Sequence, residues 1–79
     1  MRMYIVEYVM EKNGSPKTVS VMAHNKEEAY MDAVYYLIYC TENGLPYSAE
    51  VVSCNTNNGK VLYFRSGIWS NADKFLKIL

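Results

Sequence analysis

Histidine occurs once and cysteine only twice in this chain of 79 residues, which leaves little material for a staple or a reactive centre. A structural zinc site wants four ligands, whereas His24, Cys40 and Cys54 are scattered along the chain, so no metal is expected. Two cysteines also fall far short of a secreted disulfide scaffold. Both are read as reduced core residues, since free cysteine is among the most buried residue types. Nucleophilic catalysis would need one of these thiols beside the lone histidine; no other paired, activated groups are evident, so no enzymatic activity is expected. The glycine patterns G-x-x-x-x-G-K-[ST] and G-x-G-x-x-G are missing, which leaves nucleotide phosphates without a cradle and predicts no cofactor. Long apolar runs are lacking as well. The opening "MRMYIVEY" alternates, which predicts neither a signal peptide nor a membrane span and places the chain in the cytoplasm.

Net charge is lacking too: eight basic residues balance eight acidic ones, removing the bulk attraction on which most nucleic-acid binders rely. The distribution is uneven, however. Residues 23–50 carry a net −4 (Lys26 against Glu27, Glu28, Asp32, Glu42 and Glu50), whereas residues 54–79 carry a net +3 (Lys60, Arg65, Lys74 and Lys77 against Asp73). What is abundant is tyrosine, at eight residues where ordinary composition gives about two or three. Tyrosine buries a large area with few torsions to freeze and carries a polar tip, which suits surfaces that touch another molecule.

The length fits one domain, residues 1–79, whose core should be worth only about 3 to 5 kcal/mol net. Residues 3–11 alternate, with Tyr4, Val6, Tyr8 and Met10 on one face and Ile5, Glu7, Val9 and Glu11 on the other, the period of a strand. Asn13-Gly14 follows, a strong hairpin signal because both residues tolerate positive φ. Residues 17–23 return with Val19, Val21 and Ala23 on one face. Asn25 with Glu28 reads as a capping box opening a helix, which should run to Thr41 or Glu42, where Asn43-Gly44 supplies a left-handed cap and Pro46 blocks continuation. A second hairpin is expected from residues 47–54 and 60–66 around Asn58-Gly59, then a short helix opened by Ser70 and Asp73.

The expected fold is therefore α+β with two layers: a four-stranded antiparallel sheet made of two hairpins, packed on one long and one short helix in the order ββαββα. Turn and cap signals recur at a spacing of 45 residues (Asn13 and Asn58, Asn25 and Ser70, Glu28 and Asp73). Residues 3–42 and 47–79 thus form a possible pseudo-repeat, although turn and cap chemistry draws on a short menu of residues. Ile5, Val9 and Met22 fall on the sheet face away from the helices, which would be apolar enough to favour a homodimer or another partner.

At about 100° per residue, Ala29, Tyr30, Ala33, Val34, Leu37 and Ile38 form the core side of the long helix. Glu28, Asp32, Tyr35, Tyr39 and Glu42 follow steps of four, three, four and three along the opposite side, with Met31 beside them. Tyr35 and Tyr39 should therefore face outward among carboxylates, while Tyr30 and Tyr36 turn inward. Such a stripe is either an ordinary solvated face or a docking face for a protein with a basic surface, its rings as anchors and its carboxylates setting register. The alternative contact surface is basic: Lys12, Lys17 and Lys60 near the hairpin tips, Arg65 on the last strand, and Lys74 and Lys77 on the final helix, suited to a small nucleic-acid-binding regulator.

In size and plan, with two Asn-Gly hairpins, no catalytic set and the helix "NKEEAYMDAVYYLIYCTE", the chain resembles the very small α+β proteins carried by phages and other mobile elements, which include anti-CRISPR inhibitors. That resemblance implies an inhibitor that binds a nuclease complex where it holds nucleic acid, acting in the host-cell cytoplasm. It carries no functional residue over to this chain.

Overall fold

The computed structural model describes residues 1–55 and 60–63. Strand β1 spans Arg2–Val9 and β2 spans Lys17–Ala23. Helix α1 covers Lys26–Tyr36 and continues as a wider π-helical turn over Leu37–Thr41. Strands β3, Ser48–Asn55, and β4, Val61–Tyr63, complete a four-stranded antiparallel sheet in the order β2-β1-β3-β4. The expected sheet, long helix and α+β class are thus present. The expected short helix after Ser70, the Asn58-Gly59 turn and Arg65, Lys74 and Lys77 lie outside the described residues.

Alternation in β1 places Tyr4, Val6 and Tyr8 against α1, all buried. Across them Val19 and Val21 of β2 pack on the core and Ala23 is fully enclosed. From the helix come Ala29, Tyr30, Ala33, Val34 and Leu37, none with exposed surface. The two alanines let the backbone approach the strands closely. Burial pushes the Tyr30 phenol up to about 12, because the ionised ring would lose its hydration.

Strand β3 departs from plain alternation. Ile5 pairs with Ser53 but Val6 pairs with Val51, leaving Val52 as an extra residue in a bulge. The additional residue lets both Val51 and Cys54, three positions apart, face the core, which an unbroken period of two forbids.

The first hairpin closes differently from its expected form. Pairing stops at Tyr8 with Lys17, and the loop tightens at its start, where the Gly14 amide donates to the Glu11 carbonyl at 2.9 Å. Neither Asn13 nor Gly14 takes positive φ. Asn-Gly is therefore not a two-residue mirror-image turn here; Gly14 closes a four-residue turn as its last member, a position glycine favours. At the helix end the left-handed residue is Asn43, φ 56°.

The face of the sheet away from α1 is mixed. Register sets Met3 opposite Met22, Ile5 between Ser20 and Ser53, Glu7 between Thr18 and Glu50, and Val9 opposite Ser48. Ile5, Val9 and Met22 do lie there, but two glutamates face each other directly near its centre.

Candidate functional site: the outer face of the helix

Asn25 starts α1 in extended backbone, and its Oδ1 accepts from the Glu28 amide at 2.8 Å, satisfying one of the orphan donors of the first turn. The reciprocal half of the expected capping box is not made. Instead the Glu28 carboxylate sits 3.1 and 3.2 Å from Nδ1 of His24. Glu27 and Glu28 in the first turn also complement the positive end of the helix dipole.

One turn on, Asp32 is exposed and makes no ion pair or hydrogen bond among the described residues. Tyr35 is 38 % exposed and Tyr39 71 %. Their rings stack with centroids 5.9 Å apart and planes inclined by 16°, a parallel pairing that the i,i+4 spacing of a helix permits. Both tyrosines thus point outward, as the periodicity requires.

Four residues depart from the expected pattern. Tyr36, expected inward, is 48 % exposed and widens the aromatic surface. Met31 is partly buried and packs on the core cluster, so it flanks the core and not the outer stripe. Cys40, expected in the core, is exposed; Cys54 is buried as expected. Glu42 leaves the outward line altogether.

The cause in the last two cases is the π-helical turn, in which the Glu42 amide donates to the Leu37 carbonyl at 3.0 Å, five residues back. An i→i+5 turn rotates less per residue than an α-helix, so every side chain after Leu37 falls behind its α-helical phase. Leu37 stays buried, Cys40 swings into solvent and Glu42 swings toward the sheet. There its Oε2 accepts from the Tyr8 hydroxyl at 2.9 Å and from Lys17 Nζ at 3.3 Å. The Tyr8 hydrogen bond, and after it Lys17, hold the Glu42 carboxyl below its ordinary value. Burial, then Glu42, pushes the Tyr8 phenol up.

Of the basic alternative, Lys12 and Lys60 are exposed, while Lys17 is neutralised by Glu42. Among the described residues no group of three or more His, Cys, Asp or Glu side chains is arranged to hold a metal ion, and no helix is long and apolar enough to cross a membrane. Compared with protein-family models, curated proteins and solved structures, the chain matches none.

Proposed function

We propose that the chain is a non-enzymatic protein-binding module whose contact surface is the outer face of α1, centred on Asp32, Tyr35 and Tyr39. One observation carries the reading: two stacked, solvent-facing phenol rings lie beside a carboxylate with no partner among the described residues. Aromatic anchors next to unneutralised charge are the ingredients of an interface core and its steering rim. Glu28 is a weaker member because its carboxylate is turned to His24. Glu42 and Met31 serve the fold, and exposed Tyr36 takes their place in the surface.

The most specific form of the proposal is a phage-type inhibitor of a host defence nuclease complex of the CRISPR-Cas kind, working in the host cytoplasm on a basic protein surface that otherwise holds nucleic acid. Its support is the resemblance in size and plan, joined to the acidic character of this face. The nucleic-acid-binding alternative loses Lys17 to an internal ion pair. Against homodimerisation through the sheet face away from α1 stand Glu7 and Glu50, facing each other near its centre, whose carboxylates such an interface would have to desolvate.

The test is direct binding to purified CRISPR-type nuclease complexes and inhibition of their cleavage. The Tyr35→Ala/Tyr39→Ala double variant and Asp32→Lys, each verified as folded by circular dichroism, should bind at least about tenfold more weakly, as loss of interface anchors does. Equal binding by wild type and both variants would remove this face from the function; tight, salt-sensitive retention on bare DNA or RNA would instead favour the basic surface.

A further inference from the structure

The outer face of α1 carries enough detail to specify which cation it takes. Tyr39 is the most exposed of the helix tyrosines, and its ring lies nearly parallel to that of Tyr35 at 5.9 Å. One face of the pair is thus turned to its neighbour and the outer face of Tyr39 is presented to solvent, backed by a second π system. Asp32 stands seven residues earlier, two turns along the same side, at a rise of about 10 Å.

Lysine and arginine would meet this arrangement differently. An ammonium is a compact, strongly hydrated point charge; a guanidinium is planar and more weakly hydrated, stacks flat on an aromatic ring, and binds a carboxylate through two parallel N–H donors. A broad exposed ring, with a carboxylate two turns away that has no partner among the described residues, offers both of the contacts that distinguish arginine. No single side chain spans the distance between them. Two arginines three residues apart on an extended segment of polyproline II type do, since its three-residue turn brings both to one side about 9 Å apart.

We propose that this face recognises an extended, arginine-bearing segment of a partner protein, one guanidinium lying on Tyr39 and a second, three residues away, paired with Asp32. The proposal rests on the docking reading of the helix face and narrows it from a basic surface to arginine at a defined spacing. Charge complementarity selects a cationic occupant, and the stacked rings select its planar form.

The experiment is an NMR titration of the full chain at low ionic strength with a capped peptide containing Arg-Gly-Gly-Arg, set against the same peptide with lysine at both positions. The arginine peptide should bind about three-fold or more tightly than the lysine peptide, the range expected of an exposed cation–π contact, and should perturb amides around Asp32 and Tyr39. Tyr39→Phe should keep the preference, Tyr39→Leu should reduce it to parity, and Asp32→Asn should weaken both peptides. Equal affinity for the two peptides, still dependent on Asp32, would overturn the arginine assignment and leave the basic-partner reading standing. No binding of either peptide, or binding indifferent to Asp32 and Tyr39, would overturn both.

Discussion

The Tyr8 hydroxyl donates to the Glu42 carboxylate at 2.9 Å across 34 residues of sequence, fastening the π-helical end of the helix to the middle of the sheet. Lys17, from the neighbouring strand, completes the contact at 3.3 Å. Strands β1 and β2 thereby meet the helix end in one polar cluster at the rim of the core, and the Glu42 side chain retains only 19 % of its exposure there.

This cluster predicts a pH dependence of stability. The folded Glu42 carboxyl titrates below its ordinary value of 4.5, held down first by Tyr8 and then by Lys17. A carboxyl with a depressed folded pKa contributes stability that is present above the unfolded value and is lost as pH falls through the folded one. Thermal midpoints of wild type and Glu42→Gln should therefore differ at pH 7 and converge below the ordinary glutamate range. A gap of the same size at both pH values would mean that the charge of Glu42 does not contribute.

Glu50 faces Glu7 directly across β3 and β1, and its Oε2 is shielded from solvent without a hydrogen-bond partner. Like charges opposed across a sheet are unfavourable, and so is an unsatisfied buried oxygen. Glu50→Val should raise stability by about 0.5–1 kcal/mol, read as a higher urea midpoint with an unchanged slope. A lower midpoint would show that the carboxylate is serving the fold.

Leu37 and Tyr36 are adjacent but experience opposite surroundings, the first enclosed and the second half exposed. Leu37→Ala should cost about 2–5 kcal/mol through lost burial and the cavity left behind, which in so small a core leaves much of the population unfolded at room temperature. Tyr36→Ala should stay within about 0.5 kcal/mol of wild type. Far-ultraviolet circular dichroism through a urea series separates the two cases.

The two thiols should differ in access. Cys40 is exposed and Cys54 buried, and thiol reagents follow accessibility as well as thiolate character. A disulfide reagent such as Ellman's should titrate one thiol in the native protein and the second only after denaturation. Mass spectrometry of the labelled chain should place the first label at Cys40; a native label on Cys54 would contradict the packing at that end of the core.

Much of the fold is legible in the residues themselves. The period of two in β1 and β2, Asn25 as helix cap and the inward alanines of α1 depend on neighbours within a few positions, and all appear where local chemistry puts them. So does the outward direction of Tyr35, which precedes the π-helical turn, and of Tyr39, which lies only two residues into it, before the phase lag has accumulated.

What the chain could not declare locally are the irregularities. The bulge at Val52 puts Val51 and Cys54 on one side, and the wide turn after Tyr36 releases Cys40 to solvent and sends Glu42 inward. Regular periodicity is a property of each segment's own dihedral angles and is written in the order of residues. At the helix end the break goes with contacts from Tyr8 and Lys17, on strands 34 and 25 residues away from Glu42, contacts whose free energy exists only once the sheet and helix have packed.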